Sequence, residues 1–114
     1  MLVLELMDVE LDFCDSCHGV WLDAGELELL LAGSPGADPL LATLRQTRSA
    51  EASRRCPICS ARMEKALCGD QDAVLLDRCP KGHGIWFDRG ELRQVLTLGA
   101  DGKVLGLLNE MFAS

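Results

Sequence analysis

The sequence predicts a small metal-stabilised α+β fold: two similar units, each a β-hairpin plus a short helix, joined by a helical linker. Three observations predict it. The segment Cys14 to Leu27 returns 65 positions later as Cys79 to Leu92, and eleven of the nineteen positions from Val9 to Leu27 are identical in the second copy. That is an internal duplication. The chain has only 114 residues, so each unit has roughly 40 to 50 residues, a size that buries too little surface to fold unaided. Six Cys supply what a small core lacks.

The elements follow in order. Leu2 to Phe13 is strand-like, with Val9 and Leu11 alternating with polar neighbours. A short helix follows each repeated segment. Asp23 is placed as N-cap with Glu26 at N3, as in a capping box, and Leu22 and Leu27 are placed as a hydrophobic staple. Asp88, Glu91, Phe87 and Leu92 repeat this arrangement, and the acidic first turns face the positive end of the helix dipole. The first helix stops near Gly33, before Ser34-Pro35-Gly36. Asp38-Pro39 reads as N-cap and N1 of a linker helix. Leu40, Leu41 and Leu44 lie at helical spacing, and the polar run Arg45 to Ser53 continues it. Cys68 to Asp72 has turn chemistry, so about Met63 to Arg78 is a hairpin. The second helix ends near Gly99. In the tail, Val104, Leu105, Leu107, Leu108, Met111 and Phe112 share one apolar face, which docks on the chain's own core or serves self-association or partner binding. The divisions are an incomplete first repeat (1–33), a partly helical linker (34–55), a complete second repeat (56–99) and an amphipathic tail (100–114).

Cys usage separates metal from disulfide. Met1 to Asp8 has no basic n-region and no apolar run before a cleavage site, so a cytoplasmic, reducing setting is expected and CxxC pairs read as metal or redox groups. No stretch approaches the roughly 20 apolar residues of a membrane span.

Cys56 and Cys59 form a CxxC knuckle, stiffened by Pro57. Zinc takes four soft or borderline ligands in a tetrahedron, and such a turn supplies two of them. The second pair comes from the repeat. Cys79 remains there, but Gly82 stands where the first copy has Cys17, and His83 is the natural replacement. The expected Zn²⁺ site is Cys56, Cys59, Cys79 and His83. A full set of four protein ligands leaves no open position for bound water, so catalytic zinc is not expected. Cys68 competes with His83 as fourth ligand or is a small core residue, the reading preferred here. His18 reads as a hydrogen-bond donor beside the knuckle or as exposed. Trp21 and Trp86 are expected to cover the metal site and pack against the staple.

Cys14 and Cys17 make only a partial site. The matching upstream knuckle would fall before Met1. Three explanations compete: the chain begins too late, two copies share an intermolecular site of four thiolates, or metal binding is lost. The first is favoured, because Leu2 to Leu6 reads as a hairpin arm beginning midway. A CxxC redox pair lacks its usual βαβ setting.

Cys-x2-Cys…Cys-x2-Cys-x-Gly-x-Trp-Leu-Asp-x-Gly-Glu-Leu resembles the small prokaryotic zinc-finger family named after the zinc ribbon of transcription factor IIB. The resemblance covers roughly residues 2–31 and 56–96. It implies Cys56, Cys59 and Cys79 as ligands, Cys14 and Cys17 as half of a site, and a short helix behind the metal built by the Trp and Gly-Glu-Leu elements. His83 and the missing first knuckle depart from the pattern.

The formal charge is −7. Three thiolates and an imidazole around a divalent ion add about one negative charge. Nucleic-acid binding rests on Lys and Arg neutralising phosphates, so this balance weighs against it. Arg45, Arg48, Arg54 and Arg55, with Arg62 and Lys65 beyond, form the one basic cluster, and it holds no aromatic residue for base stacking. The expected function is a non-enzymatic zinc-binding module for another protein, with homodimer formation open. A nucleic-acid-binding transcription accessory is the alternative, and a thiol-based metal or redox sensor using Cys14, Cys17 and Cys68 the minor one.

Overall fold

The computed structural model describes residues 2–6, 8–32, 34–49, 52, 54–71, 73–99 and 106–107. The strands are β1 (Leu2–Leu6), β2 (Val9–Phe13), β3 (Val20–Asp23), β4 (Arg45–Thr47), β5 (Glu64–Cys68), β6 (Val74–Arg78) and β7 (Gly84–Phe87). The helices are α1 (Glu26–Leu31), α2 (Ala37–Ala42) and α3 (Glu91–Gly99). The expected strand-like stretch upstream of Cys14 is itself a hairpin, turning at Asp8 with φ 64°, a conformation that Asp tolerates. The expected hairpin near Met63 to Arg78 is β5–β6.

The two copies are not separate units joined by a linker. They are halves of one antiparallel sheet with strand order β1-β2-β3-β7-β6-β5-β4. Copy meets copy at β3 and β7, where Trp21 lies opposite Trp86, Val20 opposite Phe87 and Leu22 opposite Ile85. The β2–β3 and β6–β7 pairings match under the 65-residue offset and the β3–β7 pairing maps onto itself, so an approximate two-fold axis passes between the tryptophans. Among the described linker residues the helix is Ala37–Ala42, with Gly36 as N-cap, so Asp38 and Pro39 fall inside the first turn. Arg45–Thr47 is a strand rather than a helix. It has no apolar stripe to bury as a helix, whereas pairing with β5 satisfies an otherwise bare sheet edge. The C-terminal apolar face lies outside the described residues except for Gly106 and Leu107.

Alternation along the strands gives the sheet two different faces. One face carries Val9, Leu11, Val20, Leu22, Val74, Leu76 and Phe87 against Leu27, Leu30, Leu31, Leu40, Leu92, Val95 and Leu96 of the helices, in one cluster of seventeen buried residues. Cys68 belongs to it, fully buried. Burial pushes its thiol pKa up, and it is the small core residue expected. The core therefore draws its residues from both halves of the sheet. The other face carries Trp21, Trp86, Cys56, Met63 and Cys79.

A single row of cross-strand neighbours crosses the whole sheet on this second face: Thr47, Lys65, Asp77, Trp86, Trp21, Asp12 and Val3. Lys65 Nζ lies 2.9 Å from Asp77 Oδ1, with side-chain exposures of 6% and 3%. A buried pair is costly to break from one side, because the remaining charge stays in a low-dielectric site. Lys65→Met is expected to destabilise the fold by about 3–5 kcal/mol, read by urea denaturation. Adding Asp77→Leu should recover most of that loss.

Candidate metal centre

Each knuckle is shaped by its backbone. In the first, the Cys56 N–H donates to Ala61 O at 2.8 Å and the Ser60 N–H to Cys56 O at 2.8 Å. Ser60 takes φ 62° to close the turn, and the Ile58 N–H points at Cys56 Sγ from 3.4 Å. In the second, the Cys79 N–H donates to Gly84 O at 3.1 Å, the Gly82 N–H to Cys79 O at 3.0 Å, and the Lys81 N–H approaches Cys79 Sγ at 3.4 Å. Here Gly82 takes the positive φ, 80°.

These loops bring Cys56, Cys59, Cys79 and His83 together, with one ligand atom from each lying within 4.8 Å of all the others. Cys59 Sγ and Cys79 Sγ are 3.7 Å apart, and Cys79 Sγ lies 3.5 Å from His83 Nδ1. A tetrahedral ion with Zn–S bonds near 2.3 Å holds its sulfurs about 3.8 Å apart, so the donor set fits zinc in both chemistry and spacing. Bound there, zinc supplies a structural cross-link between the two loops and no reactive position. The quartet is that expected from the sequence.

Thiol ionisation is uneven across the site. Burial opposes ionisation of Cys79, but the N–H groups of His83 and Lys81 and the thiols of Cys59 and Cys56 outweigh it and bring its pKa down to about 6. Burial pushes the Cys56 thiol up, against the N–H groups of Cys59 and Ile58.

The Cys14–Cys17 loop copies the Cys56–Cys59 knuckle. The Cys14 N–H donates to Gly19 O at 2.9 Å, the His18 N–H donates to Cys14 O at 2.8 Å, and His18 has φ 64°. His18 thus does the backbone work of Ser60, and its exposed ring rests against Phe13 at 5.6 Å. In the second copy that duty passes to Gly82, one position earlier, which frees His83 to turn its Nδ1 inward. The N–H groups of Cys17 and Ser16 and the Cys17 thiol lower the Cys14 pKa. Among the described residues, no third metal-ligating group joins Cys14 and Cys17.

The rest of the repeated motif has structural roles. Trp21 Nε1 donates to Asp23 Oδ1 and Trp86 Nε1 to Asp88 Oδ1, both at 2.9 Å. The backbone N–H of Asp23 donates to Glu26 Oε1 at 2.7 Å and that of Asp88 to Glu91 Oε1 at 2.8 Å. Half of the expected capping box is present, the Glu reaching back three residues. The Asp side chain is not the cap; it is taken by the indole. Gly25 and Gly90, at φ 89° and 83°, make the turn between. The staple residues Leu22 and Leu27 do lie in one cluster, but on the helix face. The tryptophans pack with the Cys cluster on the opposite face, away from the staple.

Glycine explains the start of the motif. A Cβ on Gly19 would lie 2.2 Å from the Trp86 ring, and one on Gly84 would lie 2.2 Å from Leu22 O and 2.6 Å from the Trp21 ring. Each indole lies over the other copy's glycine. Arg54, two residues before Cys56, stacks 4.6 Å from the Trp86 ring centroid and pairs with Asp88 Oδ1 at 3.1 Å. Its Nη2 reaches 4.0 Å from Cys17 Sγ. Sequence reading missed β3, β7 and this cross-copy packing. The Gly-x-Trp spacing was the available signal.

A family model described as a transcription factor zinc-finger, the zinc ribbon of the transcription factor IIB type, matches residues 1–33 and 55–97. The chain belongs to this zinc-ribbon family. Both copies match, as a tandem arrangement requires, and the unmatched residues between them contain α2 and β4. No curated protein and no solved structure matches the chain.

Proposed function

We propose that this zinc-ribbon protein is a non-enzymatic adaptor that binds another protein, held in shape by zinc at Cys56, Cys59, Cys79 and His83. The convergence of four donor atoms within 4.8 Å carries the structural part of this reading, since four protein ligands saturate zinc. Charge supports the partner class. The chain carries −7, and residues 1–44 contain no Lys or Arg while holding nine of the eighteen acidic residues. A phosphate backbone finds little to neutralise it there. No helix among the described residues is long and apolar enough to cross a membrane. The cytoplasmic setting is part of the proposal and rests on the CxxC pairs, which suit a reducing compartment.

A second reading is a nucleic-acid-binding accessory. The family's description and the basic balance of residues 45–99, with ten Lys and Arg against seven Asp and Glu, favour it. It would use Arg45, Arg48, Arg54 and Arg55. Of these, Arg45 donates to Thr43 O and Gly69 O, Arg54 is held by Trp86 and Asp88, and Arg55 donates to Ser60 O. Titrating duplex and single-stranded DNA at two salt concentrations separates the readings. The adaptor reading expects no tight binding at physiological salt, and it fails if binding is tight there and weakens steeply with added salt. A thiol-sensor reading would rest on Cys14 and Cys17, because Cys68 is fully buried.

Cys14 and Cys17 are proposed as half of a second zinc site. Native mass spectrometry of chain purified without chelator tests this. One zinc per monomer assigns metal to the Cys56, Cys59, Cys79 and His83 site alone, and three per dimer would mean that a second copy completes the Cys14 and Cys17 site.

A further inference from the structure

The two halves of the sheet differ at their outer edges. Hairpin register makes Leu2, Val3 and Glu5 the counterparts of Glu64, Lys65 and Leu67, since Leu2 faces Phe13 as Glu64 faces Arg78. In the second half, β4 covers the edge of β5, with Arg45 opposite Leu67 and Thr47 opposite Lys65. In the first half, β1 is the edge strand of the sheet, and among the described residues no strand pairs beyond it. Val3 is 60% exposed and Leu2 51%.

The charges on the same face also differ. In the second half, Asp77 is answered by Lys65 and Asp88 by Arg54. Their counterparts Asp12 and Asp23 have no Lys or Arg anywhere in residues 1–44. Where the second half has Leu67 opposite Leu75, the first has Glu5 opposite Glu10. Glu10, Asp12 and Asp23 lie near Glu26, whose carboxyl is pushed up by burial and then by these neighbours, against the Asp23 N–H.

We propose that β1 is a docking edge for an extended basic segment of a partner protein, which adds to the sheet antiparallel to β1 as β4 adds to β5. An edge strand offers unpaired N–H and C=O groups for such addition, and alternate side chains give it specificity. The position equivalent to Arg45 falls opposite Glu5, and the one equivalent to Thr47 falls opposite Val3, within reach of Asp12. The recognised pattern is therefore Lys or Arg at alternate positions, on the face bearing Glu5, Glu10 and Asp12. A second copy of this chain is the wrong occupant, because β1 against β1 gathers both sets of carboxylates with no cation to answer them. The proposal rests on the adaptor reading and names the chemistry of its partner.

The test uses the zinc-loaded chain, a ten-residue peptide alternating Lys with Val, a matched Glu–Val peptide and a short DNA duplex. Hydrogen exchange and calorimetry are the readouts. The Lys peptide is expected to slow exchange within Leu2–Leu6 and to lose at least tenfold in affinity on Glu5→Lys with Glu10→Lys, at unchanged zinc content. Equal binding of the Glu peptide overturns the proposal, as does protection elsewhere than β1. So does slow β1 exchange in the free chain, whether it accompanies a doubled mass or disappears when residues 100–114 are deleted. A protein partner that leaves β1 unprotected sinks this inference and spares the adaptor reading. DNA protecting residues 54–62, while the Lys peptide still protects β1, does the reverse.

Discussion

Removing the ion from Cys56, Cys59, Cys79 and His83 is expected to destabilise the protein by about 5 kcal/mol or more, with the two knuckle loops lost first. Structural zinc contributes an apparent ~10–16 kcal/mol in zinc-finger peptides that have no fold without it. The loss here should be smaller, because the helix face keeps a cluster of seventeen buried residues that does not include the four ligands. The loops have no such support. Pro57 and Ile58 are exposed, and on the metal face Cys56 and Cys79 pack only in the small cluster with Met63 and the tryptophans. Cys79→Ser should reproduce the effect, with zinc content falling to near zero. Calorimetric melting with and without chelator, alongside metal analysis, checks both results. An unchanged melting temperature in the stripped protein would remove the metal from the account of stability.

The second large effect is expected at the seam between copies. Gly84→Ala places a methyl group 2.2 Å from Leu22 O and 2.6 Å from the Trp21 ring, and Gly19→Ala places one 2.2 Å from the Trp86 ring. One obstacle is backbone and the others are indoles that are 2% and 6% exposed, so neither can give way cheaply. Overpacking of this kind costs about 1–3 kcal/mol in ordinary cores, occasionally more. Losing the β3–β7 ladder on top of that should take Gly84→Ala past ~3 kcal/mol. Gly82→Ala is the control. Its Cβ meets nothing within 4 Å, and its φ of 80° should cost only about 1–2 kcal/mol. Denaturant melts of the three variants rank these costs, and equal losses would remove the steric role assigned to the seam.

The convergence of Cys56, Cys59, Cys79 and His83 was legible in the sequence because ligand spacing is local. Two short loops with the right Cys spacing needed only to meet, and the replacement of Cys17 by Gly82 pointed to His83. The reason His83 turns inward while His18 does not was not legible, because it lies in which residue of the turn takes positive φ. The hairpin β5–β6, the end of α3 and the burial of Cys68 were read correctly from patterning and size. The single sheet was not. Its central pairing joins residues more than sixty positions apart, and Val20-Trp21-Leu22 is short enough to pass for a covering loop. Arg45–Thr47 read as helix because its polar neighbours are helix-compatible, and nothing local announced that the edge of β5 needed a strand. Asp23 was misplaced as a cap because its carboxylate had a better partner, the Trp21 indole, visible only once β3 is extended.

The seam has a consequence for how the chain reaches its fold. It joins two nearly equivalent strands, so another molecule's β3 or β7 offers the same ladder and the same glycine to receive the indole. Tethering favours the internal match, but sixty residues separate Asp23 from Gly84, and the effective concentration falls as a tether lengthens. Refolding at high protein concentration should therefore yield exchanged dimers, in which each half finds its complement in a neighbour.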